Sequence, residues 1–572
     1  MASNSAPLSA PQFNYGTFSY AALSTTRYAT PLPSPVTYAA YASAFTAVST
    51  LLPLNATTTT YALIPNATDS ADVFGQSAYS ALWNGYSYNL TVPFTTTVSP
   101  TPVATTDLIY PPPTYTPYSN PITSNLLPAD FVWGVAGSAW QIEGGLQIEG
   151  RGPSLLDFIG ALPDAAGATP PVTTTMNYFL YKQDILRLAA LGIPYYSFSI
   201  AWPRIVPFGK EGSPINQQAL DHYEEVIDFC LQNGVTPVVT LVHFDYPLLT
   251  PTTSDTFPAH FLYYAKQVLT RFADRVPIWI TFNEPNNLLG AGFAYNTNIL
   301  LGHSAVYKFY KDVLKGTGKM TLKLSNNFAV PLDPTSANDT AAALRYQDFL
   351  VGILGNPIFL GRNYPDSVQS TFNTTYFPPL TNAQIEQING TIDFLSIDPY
   401  TTQFATPPDV GIEACIADPS NVLWPVCVNT TFLQADGWLN GNPSNDYVHT
   451  TSAFFSEHMS YLWNTFKPSG ILVAEYGFNQ YNEGLMAYDI ARFDTLRSMY
   501  YQEFVDAMRM CIWDMGINII GALAWAYVDN DEFGSFGQRY GLQSFNETTF
   551  ERSFKRSIFD YVDLFTNLVA KD

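Results

Sequence analysis

Short runs of apolar residues, each followed by a helix-like alternation of apolar and polar positions, repeat along most of this chain. Continuous apolar runs of this length are typical of strands buried on both faces, and strands that alternate with helices form parallel sheets. The pattern therefore predicts an α/β fold, a (β/α)8 TIM barrel over residues 123–572. Eight runs carry this prediction, at about 131–137, 194–201, 235–243, 276–284, 320–327, 391–398, 470–476 and 519–526.

Residues 1–122 have a different character and are treated as an N-terminal extension. They are rich in Thr, Ala, Tyr, Pro and Ser with almost no charge, and frequent prolines between Thr95 and Pro121 favour an extended course. We expect the extension to lie against the barrel surface, and a flexible O-glycosylated stalk is the alternative. The first expectation rests on aromatic residues, which usually bury something: Phe74, Tyr79, Trp83, Tyr86 and Tyr88.

Two of the predicted strands end in a single carboxylate. Glu284 follows the run Ile280–Asn283 and precedes Pro285, and Glu475 follows the run Ile471–Ala474. The carboxyl ends of parallel strands meet at the face of a barrel where its chemistry is located. Cleaving a glycosidic bond needs one acid to protonate the leaving oxygen and one ionised carboxylate to attack or stabilise the sugar cation. A lone buried Glu is more often part of a structural ion pair, but two in matched contexts favour catalysis.

Four motifs follow one another along the chain: Phe131–Gly144, Asn283–Pro285, Glu475 within Ala474–Gly477, and Trp525–Phe533 followed by Arg539–Leu542. With these motifs in this order, the chain resembles glycoside hydrolase family 1, the β-glucosidase-like enzymes, from about Asn125 to its C-terminus. Any one motif alone would be a weak signal, whereas several in the family's order are specific.

The resemblance implies a role for each of eight side chains. Glu284 would be the general acid/base and Glu475 the nucleophile of a double displacement. The residues implied to contact the sugar or the nucleophile are Gln141, His243, Asn283, Tyr400, Trp525 and Glu532. The structural alternatives are a strand-end cap for Asn283 and ordinary core positions for His243 and Trp525, and the surrounding motifs favour substrate contact.

Several positions depart from the family pattern. Ser197 stands where the family has an arginine that pairs with the nucleophile, and loss of that positive charge is expected to make Glu475 harder to ionise. The loop after Pro285 also looks short. Asp398 replaces an Asn near Tyr400. Three further aromatic substitutions are expected to change sugar preference and leaving-group contacts: Phe244, Tyr476 and Phe533.

Composition narrows the class of function. The formal charge of −22, from 47 acidic against 25 basic residues, argues against nucleic acid, whose phosphates need a basic surface. The six His and four Cys form no cluster with zinc-ligand spacing, and the sequence has no Gly-rich phosphate loop. We therefore expect no metal and no organic cofactor. Apolar runs stay well short of the roughly 18–20 residues of a membrane helix, so no membrane span is expected.

Sequons and cysteines indicate the compartment. Cys415 and Cys427 predict a disulfide within a loop, whereas Cys230 and Cys511 lie in helix-like segments as buried thiols. The start, Met1–Pro7, has no signal-peptide pattern, so a signal is expected to have been removed or left out. We expect a secreted protein with N-linked glycans, because Asn-X-Ser/Thr occurs at Asn55, Asn66, Asn89, Asn338, Asn373, Asn389, Asn429 and Asn546.

The leading hypothesis is a secreted retaining β-glycosidase acting on small glucosides or related β-linked sugars. One alternative is a transglycosidase, which passes the sugar to an alcohol from the same intermediate. Another is a catalytically impaired sugar-binding or surface-structural protein, which Ser197 and the unusual extension favour. The presence of both Glu284 and Glu475 favours an enzyme, since a binding protein does not need both.

Overall fold

The structure, a computed structural model, describes residues 26–35, 49–52, 58–62, 64, 67–84, 86, 91–112, 124–160, 172–287, 293–372, 377–533 and 535–571. Eight parallel strands close into a barrel in sequence order, because the last strand pairs with the first. The predicted (β/α)8 barrel is therefore confirmed. Its strands are β1 (Val132–Ala136), β2 (Tyr195–Ser199), β3 (Thr236–Val242), β4 (Ile278–Asn283), β5 (Lys319–Ser325), β6 (Leu395–Asp398), β7 (Ile471–Tyr476) and β8 (Ile519–Trp525).

One long helix follows each strand. Their ends carry ordinary signals: Asn216 caps a helix by accepting a hydrogen bond from the Ala219 N–H, and Gly192 ends another in a left-handed conformation with φ of 82°. The helices are α1 (Asn177–Leu191), α2 (Gln217–Gln232), α3 (Phe257–Phe272), α4 (Phe293–Lys308), α5 (Ala337–Gln347), α6 (Phe455–Phe466), α7 (Thr495–Met515) and α8 (Arg556–Leu568).

Short helices and short strand pairs lie outside the eight barrel strands and their long helices. Short helices lie at Gln76–Leu82, Ala139–Ile142, Leu155–Gly160, Trp202–Ile205, Asp366–Thr371, Asn382–Ile388, Ile412–Ile416 and Tyr488–Ala491. Strand Thr402–Thr406 pairs with Phe328–Pro331 and Asn429–Thr431, and Gln543–Phe545 pairs with Arg552–Phe554.

Apolar side chains fill two layers, one inside the barrel and one between the strands and the helices. On β2 the side chains of Tyr196 and Phe198 belong to the outer layer, so Ser197 between them faces the barrel interior. On β5, Leu322 and Leu324 likewise belong to the outer layer. The interior cluster comprises Val238, Ile278, Ile280, Phe394, Leu472, Ala474 and Leu523.

Regular pairing is interrupted in both strands that lead to the predicted acids. The register between β4 and β5 shifts between Ile280 and Asn283, and the register between β7 and β8 shifts between Val473 and Tyr476. Such an irregularity changes the direction of the side chains at and after it. Here it occurs immediately before or around each carboxylate, at the carboxyl end of the barrel.

The described parts of the extension pack on the barrel. Arg27 forms an ion pair with Asp563 of α8, and the Leu32 N–H donates to the Ala189 carbonyl at 2.9 Å. Thr58–Thr59 pairs as a parallel strand with Ile215–Asn216. These contacts agree with the expected packing of the extension on the barrel surface, whereas Tyr88 lies outside the described residues.

The predicted disulfide and the two predicted buried thiols are present, although Cys415 lies in the short helix Ile412–Ile416 and not in a loop. Cys415 and Cys427 form a disulfide with a Cα–Cα distance of 5.8 Å, and Cys230 and Cys511 are buried free thiols. Among the described residues, no helix is both long and apolar enough to cross a membrane.

Candidate active site

Three carboxyl groups meet at the carboxyl end of the barrel. One oxygen from each of Glu284, Asp398 and Glu475 lies within 4.8 Å of the others. Glu284 follows β4, Asp398 ends β6 and Glu475 lies near the end of β7. The two predicted catalytic acids are thus neighbours in space although they are far apart in the sequence.

Glu284 has an unusual backbone conformation and a perturbed carboxyl group. Its φ of 42° is left-handed, which is costly for a residue with a side chain and is found mainly at functional sites. Its N–H donates to the Lys323 carbonyl at 2.8 Å, and Asn287 Nδ2 donates to its Oε2 at 2.8 Å. Burial and then the charge of Glu475 raise the pKa of Glu284 to about 7, although Lys323 opposes the shift. Glu284 is therefore suited to hold a proton in mildly acidic solution.

Glu475 is almost fully buried and has two donors. Tyr400 Oη donates to its Oε2 at 2.9 Å, and Lys323 Nζ donates to its Oε1. The Tyr400 carbonyl is itself held by Tyr500 Oη at 2.9 Å. Burial and then the charge of Glu475 raise the pKa of Tyr400, which keeps the phenol protonated as a donor. Both contacts stabilise an ionised Glu475.

Lys323 was missed by the sequence analysis. Its side chain is 2% exposed, and Nζ also lies 3.7 Å from Asp398 Oδ2. Burial disfavours the ammonium form, but Asp398 and Glu475 together raise the pKa of Lys323 above its ordinary value. The available signal was a lysine between two leucines, at an inward position of β5. Although Ser197 stands where an arginine was expected, Glu475 still has a cationic partner, because Lys323 supplies the cation from β5 instead of β2.

Asp398 lies between the Lys323 ammonium and the Glu284 carboxyl group. It is fully buried, and it interacts with the charge of Lys323 and with the side chain of Glu284. Burial raises the pKa of Asp398 well above its usual range, with Lys323 opposing the shift. Three carboxyl groups this close together are the kind of oxygen donors that bind a metal cation. Here the Lys323 ammonium already lies among them and supplies positive charge.

A second group of side chains surrounds Glu532 beside the acids. Gln141 Nε2 donates to Glu532 Oε2 at 3.0 Å, and Trp525 Nε1 donates to Oε1 at 2.9 Å. Ser138 Oγ donates to Gln141 Oε1 at 2.6 Å, which fixes the amide orientation. Burial raises the pKa of Glu532 to about 8, with the Trp525 donor opposing the shift and the charge of Glu475 adding to it. Gln141 lies on the short helix after β1 and not on the strand end itself.

His243 and Asn283 connect this group to the acids. The His243 ring stacks on Trp525 with 5.5 Å between centroids, and its Nε2 lies 3.1 Å from Asn283 Nδ2. Burial, assisted by the positive charge of Lys323, lowers the pKa of His243 well below its usual range, so the imidazole is neutral. Asn283 Oδ1 is buried without a hydrogen-bond partner among the described residues.

The aromatic substitutions lie in two different places. The rings of Phe533 and Trp140 stack 5.8 Å apart, and Phe244 approaches Phe533 edge-on at 5.8 Å. Half of Phe533 is exposed, so this row lines the site mouth. Tyr476 instead packs on Tyr501 of α7 and is fully buried in the outer layer. The expectation that Tyr476 changes sugar contacts is therefore wrong, because its side chain faces away from the barrel mouth.

Comparison with known proteins assigns the chain to a family. The model of glycosyl hydrolase family 1 matches residues 123–568. This chain belongs to glycosyl hydrolase family 1. It is a glycoside hydrolase of the β-glucosidase-like type, and its extension lies outside the family match.

Several relatives of this family 1 hydrolase are β-glucosidases. Beta-glucosidase 1B of Phanerodontia chrysosporium is 28% identical over 456 residues, covering 73% of this chain and 82% of the relative. Human cytosolic beta-glucosidase is 28% identical over 453 residues, covering 73% of this chain and 92% of the relative. The crystal structure of beta-glucosidase 2 from the fungus Trichoderma reesei aligns with a TM-score of 0.74 and 29% identity, over 78% of this chain and all of the other.

The predicted site residues of this family 1 hydrolase lie together at the carboxyl end of the barrel. Contacts run from Gln141 through Glu532 and Trp525 to His243 and Asn283. The acids adjoin this chain of contacts, with Tyr400 on the far side of Glu475. The catalytic and binding roles of these residues remain predictions at this point.

Proposed function

We propose that this family 1 hydrolase is a secreted retaining β-glycosidase that cleaves small β-linked glycosides by double displacement. The observation that carries the proposal is the separation of Glu284 and Glu475, whose nearest carboxyl oxygens lie within 4.8 Å. Retaining enzymes hold their two carboxyl groups about 5–5.5 Å apart, whereas inverting enzymes need about 6.5–9.5 Å to admit a water molecule. The short separation favours direct attack by one carboxylate.

The first half-reaction uses both acids at once. Glu284, with a pKa raised to about 7, donates its proton to the glycosidic oxygen as the bond from that oxygen to the anomeric carbon breaks. Glu475 Oε attacks the anomeric carbon from the opposite face and forms an ester. Tyr400 and Lys323 keep Glu475 ionised and oriented until the attack.

The second half-reaction reverses these roles. Esterification removes the negative charge of Glu475, so one cause of the raised pKa of Glu284 disappears. Glu284, now ionised, accepts a proton from water while the water oxygen attacks the anomeric carbon. The ester bond breaks, Glu475 leaves as a carboxylate, and its pairing with Lys323 is restored. Two inversions at the same carbon retain the anomeric configuration.

The neighbouring pocket is suited to the hydroxyl groups of a sugar. Gln141 and Glu532 offer neutral and acidic hydrogen-bonding groups that are already oriented by each other. Asn283 adds a buried acceptor beside Glu284, and Trp525 offers an apolar ring. A small glycoside is the substrate class that this combination of groups favours.

Secretion and N-glycosylation are supported by sequon placement and by the disulfide. Asn338, Asn389 and Asn546 are exposed, and Asn429 is partly exposed. A disulfide forms and persists most readily in an oxidising compartment. The remaining sequons, at Asn55, Asn66, Asn89 and Asn373, lie outside the described residues. Expression in a eukaryotic secretory host, followed by enzymatic removal of N-glycans, should lower the mass of the secreted protein; an unchanged mass would contradict the proposal.

The decisive test of the reaction is the stereochemistry of hydrolysis. Purified protein is mixed with an aryl β-glucoside, and the anomeric proton of the released sugar is followed by NMR before mutarotation. The proposal predicts that the β-anomer appears first. Initial release of the α-anomer would contradict double displacement, and no hydrolysis would favour a binding protein.

A further inference from the structure

The extension makes a paired hydrogen bond to the barrel domain. Tyr79 Oη donates to the Arg151 carbonyl at 2.9 Å, and Trp83 Nε1 donates to the same oxygen at 3.2 Å. Tyr79 is fully buried and Trp83 is 5% exposed. Both donors come from the helix Gln76–Leu82 or the residue after it, outside the family match. Two buried side chains converge on one backbone oxygen of the catalytic domain.

The contact is tightly packed. The Tyr61 ring stacks on Tyr79 with 4.7 Å between centroids and 4° between planes. Gly150, next to Arg151, has a φ of 75°, and a Cβ added there would lie 3.1 Å from the Tyr61 backbone nitrogen. Only a residue without a side chain fits this approach comfortably. The extension and the loop after β1, residues 137–160, are therefore closely fitted to each other.

From Arg151 the contacts continue to the sugar pocket. Arg151 Nη1 lies 2.6 Å from Asp157 Oδ2 in a buried ion pair, and Trp140 Nε1 donates to Asp157 Oδ1 at 2.9 Å. Trp140 directly precedes Gln141 on the short helix Ala139–Ile142. Gln141 then donates to Glu532. Three buried polar contacts thus separate the extension from the side chains proposed to bind sugar.

We propose that Tyr79 and Trp83 are positioning residues for the sugar pocket, acting through Arg151, Asp157 and Trp140. This inference rests on the proposed function, because it assigns sugar binding to Gln141. In this proposal the extension helps to position the sugar-binding residues, in addition to covering apolar surface of the barrel.

Loss of the Tyr79 and Trp83 hydrogen-bond donors should weaken sugar binding. The Arg151 carbonyl would be buried without these partners, and the loop would relax to satisfy it. Small displacements of groups that orient a substrate have large effects on binding and rate. Gln141 and Glu532 contact the sugar before and during the reaction, so their displacement raises KM more than it lowers kcat.

The test is the double variant Tyr79→Phe/Trp83→Phe in the full chain. We expect KM for an aryl β-glucoside and the Kd of glucose, measured by calorimetry, to rise about tenfold, with kcat falling less than about threefold. The matched control is Tyr61→Phe, whose Oη donates at 2.6 Å to the Phe74 carbonyl within the extension. Its KM and Kd should stay within about twofold of wild type. A folded double variant with wild-type KM and Kd would overturn the inference, whatever its melting temperature.

A variant at the other end of the contact path provides an independent test. Asp157→Asn keeps the shape of the side chain but removes the charge that pairs with Arg151. KM and the Kd of glucose should rise as in the double variant. If the double variant does not fold, the single variants Tyr79→Phe and Asp157→Asn provide the test. Wild-type KM and Kd of glucose in both would contradict the inference. Failure of the proposed function is distinguishable, because the wild-type protein would then bind glucose without hydrolysing glucosides.

Discussion

The Lys323 ammonium on β5 donates a hydrogen bond to Glu475 on β7. The backbone carbonyl of the same lysine accepts the N–H of Glu284 at 2.8 Å. Lys323 therefore contacts both acids, with its side chain on the proposed nucleophile and its backbone on the proposed acid. Ser197, at the position where the family has an arginine, faces the same barrel interior without a charge.

Replacing Lys323 with Met should impair the nucleophile. Glu475 loses the buried ammonium group that pairs with it and orients its Oε1. A fall in kcat/KM of about 100-fold is expected, comparable with the loss of one preorganised electrostatic donor. The measurement is kcat/KM on an aryl β-glucoside for the wild type and the variant.

Two companion variants separate charge from shape. Lys323→Arg should lose less activity than Lys323→Met, because the charge remains on β5. Adding Ser197→Arg to Lys323→Met should restore part of the lost kcat/KM by returning a cation to β2. Wild-type kcat/KM in folded Lys323→Met would show that Lys323 does not support the nucleophile.

The barrel could be predicted from the sequence because its signal is local. Each strand appears as an apolar run of its own, such as Ile471–Ala474, and each is separated from the next by a helical pattern. The structure confirms all eight strands in these positions. The disulfide between Cys415 and Cys427 was predictable for a similar reason, since the two cysteines are separated by only 12 positions in the sequence.

The charge arrangement at the site could not be predicted, because it depends on which strands face each other. Lys323 and Glu475 belong to strands separated by β6, and no local pattern links them. The register shifts before Glu284 and around Glu475 also leave no mark in the residue types. The motifs locate the acids and show that Ser197 replaces an arginine, but they do not indicate which residue supplies the cation instead.

Replacing Glu284 with Ala should affect substrates unevenly. Aryl glycosides with good leaving groups need little protonation, so they should form the glycosyl-enzyme intermediate and then stall. Added azide should attack the intermediate without base catalysis and restore turnover. The measurement is a pre-steady-state burst with and without azide on activated and unactivated substrates. Equal losses on both, with no azide effect, would remove Glu284 from the acid/base role.

The basic limb of the wild-type kcat/KM profile should lie near pH 7. The pKa of Glu284 is raised to about 7, from roughly 4.3 in an unperturbed Glu, and the group must be protonated to act as acid. Activity on unactivated glycosides should therefore fall as the pH rises through this value. The check is kcat/KM between pH 4 and 9, and full activity well above pH 8 would contradict the assigned shift.

Replacing Glu475 with Gln should abolish turnover while keeping the fold. The amide has the shape of the carboxylate but cannot attack as an anion, and a loss of at least about 1000-fold in kcat is expected. Circular dichroism should show a folded protein. Glu386→Gln is the matched control, because this carboxylate is exposed on the helix Asn382–Ile388 and should leave kcat unchanged. Near-normal turnover of Glu475→Gln would place the nucleophile elsewhere.

The most direct test of the central claim is to trap the covalent intermediate and locate it. A 2-fluoro-β-glucoside with an activated leaving group slows both half-reactions, but the leaving group lets the first proceed, so the sugar accumulates on the nucleophile. Intact-mass measurement should show one added fluoroglucosyl group, and peptide mapping should assign it to Glu475. A label on any other residue, or complete inactivation without a covalent adduct, would contradict the account.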